Sequence, residues 1–284
     1  MVIDVHVHPG FLAQTGALTE SELKFRQDVM GLYKTDEIEI EAWKNLCRCA
    51  EIDRLFLLPL DLKTTEGGGV GTNEEVAELV KENPDWFCGF ASVDPHREDA
   101  LEVLERAFTE QRLSGLKLHP SKQRFYPDDE AMDPIYEMCV RYNKPILFHA
   151  GVSMEPGTLT KYAHPLRFEE TAYRFPKLRI CLAHFGWPWV KETCMLMLKY
   201  RNIYTDTAML YFDNPKEFYA QSLGVDIGPH WIDRSLRHQV MFGSDEPRLE
   251  MLRMIRAIRE MDMRESTKEL ILGENALRFL NGGA

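Results

Sequence analysis

Short apolar segments recur along the chain and alternate with longer, more polar ones. The apolar segments are rich in Val, Ile, Leu and Phe, and their length is typical of buried strands. There are eight of them: VIDVHVH (2–8), RLFLLPL (54–60), FCGFASVD (87–94), GLKLH (115–119), PILFHAG (145–151), LRICLAHFG (178–186), NIYTDTA (202–208) and QVMFGSD (239–245). The pattern predicts eight strands.

The intervening segments have helical character, and two more follow the last strand. They cover 36–51, 73–83, 97–112, 130–142, 167–175, 188–200, 215–237 with a break at Gly228-Pro229, 247–262 and 266–280. Strands that alternate with helices indicate a parallel sheet, and the number eight favours a closed (β/α)8 TIM barrel, an α/β fold. We therefore expect one domain over residues 1–284. The stretch TTEGGGVGTN (64–73) is expected to be a mobile loop near the mouth of the barrel.

The first strand carries polar side chains at alternate positions. Asp4, His6 and His8 share one parity and would point to the same side of the strand. Other predicted strands also end in histidine or aspartate. In all, five of the nine histidines fall at carboxyl ends of predicted strands. The added residues are His119, His149, His184, Asp206 and Asp245. In a (β/α)8 barrel these ends meet at the active site.

A divalent metal ion explains this set. His6, His8, His149 and Asp245 would form a site of neutral imidazoles and one carboxylate, which suits zinc, with manganese as the alternative. A metal ion would lower the pKa of a bound water to about 7. His184 is then placed to act as a general base or acid, although it could instead be a structural histidine that donates to a backbone carbonyl.

Other polar residues are candidates for supporting roles. Asp4 and Asp206 are expected to hydrogen-bond to the ligands from behind and orient them. Candidate substrate contacts lie at strand ends and on the loops that follow: His119, Arg248, Lys63, Arg124 and His164. Aromatic residues that could wall the pocket are Phe11, Trp187, Trp189, Tyr211 and Phe212.

The net charge of −11 argues against a nucleic-acid or anionic-membrane partner. Because Lys63, Arg124 and Arg248 nevertheless gather at the predicted mouth, we expect a small anionic substrate that carries a carboxylate. The six cysteines lack the spacing of a structural zinc module. The N-terminus does not read as a signal peptide and no apolar run is long enough to span a bilayer, so we expect a cytoplasmic protein, and a homo-oligomer is compatible with the sequence.

The motifs DVHVHPG, GLKLHP, PILFHAG, LAHFG and FGSDEP, in this order, resemble the amidohydrolase superfamily. The similarity is greatest to the amidohydrolase-related group that contains aminocarboxymuconate semialdehyde decarboxylase, pyrone dicarboxylate lactonase and oxalomesaconate hydratase. It also covers FASVDP (90–95) and GENALRFL (273–280). The resemblance implies a TIM barrel with metal ligands at His6, His8, His149 and Asp245 and a catalytic base at His184.

Some superfamily members hold two metal ions with a carboxylated lysine from the fourth strand. Lys117 lies on that strand, but His119 occupies the strand end and Lys117 is expected to lie one layer deeper. We therefore expect a single metal ion rather than a bridged pair.

Hydrolysis, hydration and decarboxylation share this scaffold, so the motifs do not specify the reaction. The main hypothesis is a metal-dependent hydrolase in which metal-activated water attacks a lactone, ester or amide, or hydrates a double bond. The alternative is a metal-dependent, non-oxidative decarboxylase of a small unsaturated or aromatic acid. A metal-binding or sensory domain that has lost catalysis is less consistent with the sequence, because all four expected ligands and His184 are present.

Overall fold

The structure is a computed structural model that describes residues 1–15, 19–30, 37–209, 214–228 and 230–282. Apolar segments of the sequence form the strands, which are shorter than the segments themselves. The strands are β1 (Ile3–Val7), β2 (Arg54–Leu57), β3 (Leu60–Leu62), β4 (Gly68–Val70), β5 (Phe87–Gly89), β6 (Ala91–Ser92), β7 (Leu116–Leu118), β8 (Ile146–Phe148), β9 (Ile180–Leu182), β10 (Ile203–Asp206) and β11 (Val240–Met241).

The strands other than β3 and β4 form a closed parallel barrel. One sheet has the order β1-β2-β5 and the other β11-β10-β9-β8-β7-β6, and their pairings are parallel. The third barrel strand is divided at Phe90, whose N–H donates to Leu57 O at 3.0 Å between β5 and β6. The Val5 N–H donates to Phe242 O at 3.0 Å, which joins β1 to the last strand. The predicted (β/α)8 barrel is confirmed.

Helices pack around the barrel. They are α1 (Glu20–Met30), α2 (Ile40–Cys49), α3 (Asn73–Glu82), α4 (Ala100–Thr109), α5 (Pro120–Gln123), α6 (Asp133–Arg141), α7 (Glu169–Arg174), α8 (Val190–Lys199), α9 (Pro215–Tyr219), α10 (Met251–Glu260), α11 (Glu265–Glu269) and α12 (Asn275–Asn281). The long predicted helix 215–237 is α9 followed by π-helical turns at Ala220–Val225 and Trp231–Leu236, so it is broken near the predicted point. Pro229 lies outside the described residues. A third π-helical segment, Leu270–Glu274, joins α11 to α12.

Two elements differ from the expectation. The stretch 64–73 is not simply a loop, because Gly68–Val70 forms β4 and pairs antiparallel with β3. A side chain at Gly69 would meet Leu60 O at 2.6 Å, so this glycine permits close approach of the paired backbones. The second difference is α1, which forms in a segment for which no helix was predicted.

Buried apolar residues lie on both sides of the barrel wall. Leu116, Leu118 and Ile146 belong to a cluster with the helix residues Leu104 and Tyr136. A second cluster joins side chains of the strands to the last helix: Phe56, Leu147, Cys181, Met241 and Phe279. None of the helices in the described ranges has the length and apolar character needed to cross a membrane.

Candidate active site

The side chain of His6 lies between two carboxylates at the centre of the barrel mouth. Its Nδ1–H donates to Asp206 Oδ2 at 2.9 Å. That bond assigns the proton to Nδ1 and leaves the Nε2 lone pair facing Asp245 Oδ1 at 3.5 Å. Asp4, on the same strand, accepts the backbone N–H groups of His6 at 3.1 Å and Ser244 at 2.9 Å. Asp4 therefore ties β1 to the segment that carries Asp245.

His8 is oriented in the same way by a backbone carbonyl. Its Nδ1–H donates to Leu58 O at 2.8 Å, and its Nε2 lies 3.7 Å from Asp245 Oδ1. A ring whose Nδ1 is hydrogen-bonded to an outer acceptor presents Nε2 as a ligand of fixed direction. His6 and His8 thus present the same nitrogen toward the same carboxylate.

His184 and His149 form a directed hydrogen-bond chain. The Nδ1–H of His184 donates to Ala208 O at 2.5 Å, so Nε2 of the neutral ring is an acceptor. His149 Nδ1 lies 3.1 Å from that Nε2 and must be the donor. The remaining nitrogen of His149, Nε2, is buried without a hydrogen-bond partner. Its lone pair is free for a metal ion.

His184 and Asp245 both have left-handed backbone conformations. Their φ angles are +58° and +65°, a region that residues with a side chain seldom adopt. Residues held there are frequent at active sites, where the surrounding structure compensates for the strain. The backbone N–H of Asp245 donates to His6 O at 3.0 Å, and that of His184 donates to Asp206 Oδ1 at 2.7 Å. These bonds fix both side chains at the mouth.

Burial keeps the imidazoles neutral. It lowers the pKa of His6, His8 and His149 well below the usual value, and that of His184 to about 4. Burial also raises the pKa of Asp245 to about 7. Neutral imidazole is the ligand form of histidine, so the donor set, together with the unpartnered His149 Nε2, fits one divalent cation.

The distances single out a slightly different group. Among the described residues, ligand atoms of His6, His184 and Asp245 lie within 4.8 Å of one another. His8 and His149 border this group through the contacts given above. The cavity is lined by each predicted ligand, but the group with the closest ligand atoms includes His184 and does not include His8 or His149.

Known proteins resemble this chain in sequence and in fold. The family model described as amidohydrolase matches residues 54–282, which is well over half of the chain. The chain belongs to the amidohydrolase family. The matched segment contains His149, His184 and Asp245, whereas His6 and His8 precede it.

This amidohydrolase is 26% identical over 243 residues to 2-amino-3-carboxymuconate-6-semialdehyde decarboxylase of Dictyostelium discoideum. The match covers 73% of this chain and 65% of the relative, so the chain spans less than two thirds of the length of that curated protein. The fold is also that of an uncharacterised TIM-barrel protein from Bordetella bronchiseptica, with a TM-score of 0.80, 20% identity and 98% of each chain covered.

A dihydroxybenzoic acid decarboxylase from Polaromonas sp. JS666, solved with bound manganese and the inhibitor 2-nitroresorcinol, has the same fold. Its TM-score is 0.68 at 18% identity, with 100% of this chain and 98% of that chain covered.

Lys117 lies closer to the site than the sequence suggested. Its Nζ is 3.2 Å from His6 Nε2 and donates to that lone pair. The expectation that Lys117 lies a layer below the site is therefore corrected, because its long side chain reaches from β7 to His6. A cation at His6 Nε2 would have to displace this donor.

The candidate substrate contacts are distributed unevenly. Arg248 and His119 line the same small cavity as the imidazoles. His119 stacks on His149 with 3.9 Å between ring centroids and 5° between planes, and its Nδ1 accepts the backbone N–H of Lys122. His119 thus braces a predicted ligand.

The other candidates lie elsewhere. Lys63 lines a separate cavity of about 620 Å³ beside the β3–β4 hairpin, Arg124 is exposed after α5, and His164 packs on Trp189. Among the predicted wall aromatics, Phe11 packs on Trp43 in the core. Neither Phe11, Trp187 nor Trp189 lines the site cavity, and Tyr211 and Phe212 lie outside the described residues.

Sequence reasoning missed two charged residues of the site cavity, Lys122 and Glu155. Lys122 follows β7 by four residues and could have been found by the strand-end argument that found His119. Glu155 belongs to the segment after β8, and no pattern in the sequence indicates that its side chain turns inward.

Proposed function

We propose that this amidohydrolase catalyses the metal-dependent, non-oxidative decarboxylation of a small unsaturated or aromatic carboxylic acid. The names of the curated relative and of the manganese-containing neighbour favour this reaction over the hydrolysis that the motifs first suggested. The family itself accommodates both chemistries, so the choice rests on the relatives together with the site.

The main structural support for the proposal is the orientation of three imidazole rings, whose Nε2 lone pairs remain available for a metal ion. His6, His8 and His149 each have Nδ1 engaged by a neighbour. The Nε2 atoms of His6 and His8 face Asp245 Oδ1, and His149 Nε2 is buried without a hydrogen-bond partner. We infer that these four side chains hold one divalent ion, zinc or manganese. When bound there, the ion supplies positive charge that stabilises negative charge developing on the substrate.

His184 is the proposed proton carrier. Its Nδ1–H is committed to the Ala208 carbonyl, so Nε2 is the nitrogen at which the ring can take up or release a proton, once the hydrogen bond that it accepts from His149 Nδ1–H is broken. In the reaction, the bond between a substrate carbon and its carboxylate breaks, CO2 leaves, and that carbon receives one proton. Burial lowers the pKa of His184 to about 4, so the resting ring is neutral and the proton that it delivers has to be taken up from solvent during the reaction.

Cationic side chains support a carboxylate-bearing substrate. The cavity wall contains Lys117, Lys122 and Arg248, although the chain as a whole carries −11. Cations within a largely buried site attract an anion more strongly than they would in water. A small anionic acid therefore fits the charge of the wall.

The test is a panel of small aromatic and unsaturated acids incubated with the protein loaded with manganese or zinc. The proposal expects CO2 in the headspace and a product that has lost 44 mass units (about one CO2 per turnover). Product that gains the mass of one water without CO2 release would instead support hydrolysis or hydration. Protein treated with a chelator and then reloaded is the control for metal dependence.

A further inference from the structure

The segment after β8 places a carboxylate inside the site cavity. Glu155 lines that cavity together with Lys122 and Arg248, and its Oε1 lies 3.6 Å from Lys122 Nζ. The side chains of Lys122 and Glu155 are only 3% and 15% exposed. The pair is therefore part of the same buried space as the imidazoles.

Glu155 is held as an anion. Burial alone would raise the pKa of its carboxyl, but Lys122, the Ser153 hydroxyl and Arg248 together hold that pKa below its usual value. The Ser153 hydroxyl donates to Oε2 at 2.5 Å. Glu155 thus occupies a position beside Lys122 and Arg248 where the carboxylate of a substrate could also bind.

The space left beside Glu155 is too small for a substrate. The open volume of the cavity is about 20 Å³, enough for about one water molecule, whereas pockets that bind small molecules enclose roughly 300–1,000 Å³. A small acid can reach the imidazoles only if part of the wall withdraws.

The part best able to withdraw is the segment that carries Glu155. Met154 and Leu159 expose 57% and 53% of their surface, and a side chain at Gly157 would meet nothing within 4 Å. Lys122, by contrast, lies on α5, where its backbone N–H donates to the His119 ring. The cation is fixed to the barrel, and the carboxylate is on a lightly packed loop.

We propose that Glu155 is an internal counter-ion of Lys122 that the carboxylate of the substrate displaces. Residues 152–159 move outward as the substrate enters, and Lys122 then determines the preference for an anionic ligand. This inference rests on the proposed function for the identity of the substrate, but it concerns binding alone.

The experiment measures the affinity of the metal-loaded protein for benzoate and for benzamide by calorimetry. The two probes have nearly the same size and differ in charge. Glu155→Gln should tighten benzoate binding about tenfold or more, because the competing carboxylate is gone. Lys122→Met should weaken benzoate binding by a similar factor. Benzamide has no charge to exchange with Glu155, so both variants should change its affinity by a smaller factor than they change that of benzoate.

Two controls separate this exchange from general effects. Glu137→Gln removes an exposed carboxylate from α6, and Lys161→Met removes an exposed cation near the same loop but outside the cavity. Neither should alter benzoate affinity. If Glu155→Gln leaves benzoate binding unchanged or weakens it, the Lys122–Glu155 pair is a structural ion pair and the proposal is overturned.

A second measurement needs no variant. Hydrogen exchange of amides 152–159 in the wild-type protein should become faster when benzoate is bound, because the segment that carries Glu155 withdraws from Lys122. Protection of this segment by benzoate, or no change, would contradict the displacement. Faster amide exchange with benzoate, in a protein that releases CO2 from none of the acids tested, would support the displacement of Glu155 and contradict the proposed decarboxylation.

Discussion

The carboxylate of Asp206 accepts Nδ1–H of His6 at 2.9 Å. Its other oxygen accepts the backbone N–H of His184 at 2.7 Å. One buried carboxylate at the end of β10 therefore sets the orientation of a proposed ligand and the position of the proposed proton carrier. Asp206 thus couples the metal-binding half of the site to the catalytic half.

Replacement of Asp206 tests this coupling. Asp206→Asn should weaken metal binding about 10- to 100-fold, because an amide no longer stabilises the Nδ1–H form of His6. Competition with a chromophoric chelator measures the affinity. The exposed Asp262 provides a matched control, and Asp262→Asn should bind metal like the wild type. Equal affinity in Asp206→Asn would show that His6 needs no such partner.

His184 is expected to act on protons and not to bind the metal. His184→Asn should retain about one metal ion per chain while turnover falls by roughly 10²- to 10⁴-fold, the usual contribution of a positioned acid–base group. Elemental analysis and initial rates are the two readouts. His149→Ala and Asp245→Ala should lose the ion under the same conditions. Loss of metal from His184→Asn would instead make His184 a ligand, as its position close to His6 and Asp245 allows.

The affinity for the metal ion should depend on pH because the ion displaces a small number of protons from the site, chiefly the one on Asp245. Burial raises the pKa of Asp245 to about 7, so below that pH the ion must displace a proton, and affinity should fall about tenfold per pH unit between about pH 5 and 7. The pKa values of His6, His8 and His149 are well below 6.5, so their rings compete little in this range.

The slope of log Kd against pH, from titrations with manganese, is the measurement. A proton on Lys117, whose pKa burial lowers to about 8, would raise the slope from one to two. A slope of three or more would contradict the account, because it requires protonated imidazoles.

The barrel and the strand-end imidazoles could be predicted because both follow from strand periodicity. Parity placed Asp4 and His6 on one side of β1, and the carboxyl ends of parallel strands brought His149, His184 and Asp245 to the same mouth. The positions of such side chains depend mainly on the direction of the strand that carries them.

Features set by tertiary packing could not be predicted in this way. The β3–β4 hairpin contains adjacent glycines, which have low strand propensity, and its pairing depends on the close approach that Gly69 allows. Glu155 turns inward toward Lys122, which lies 33 residues earlier in the sequence. No local sequence pattern predicts a contact between two residues so far apart.

The loop that carries Glu155 begins at a glycine that the fold requires. Gly151 has φ +89°, and a Cβ there would meet Trp187 O at 2.2 Å. Gly151→Ala should lower the free energy of unfolding by about 2 kcal/mol or more, through the left-handed backbone and the overlap with the backbone oxygen. Chemical denaturation measures it. Gly224→Ala, where a Cβ meets nothing within 4 Å, is the control and should change stability little.

His6, His8, His149 and Asp245 are expected to hold one metal ion while His184 remains free to carry a proton. Anomalous diffraction from crystals of the manganese-loaded protein tests it most directly. We expect one anomalous peak per chain within bonding distance of the Nε2 atoms of His6, His8 and His149 and of the Asp245 carboxylate, with His184 Nε2 beyond that distance. A peak bonded to His184, or a second peak bridged through Lys117, would contradict it.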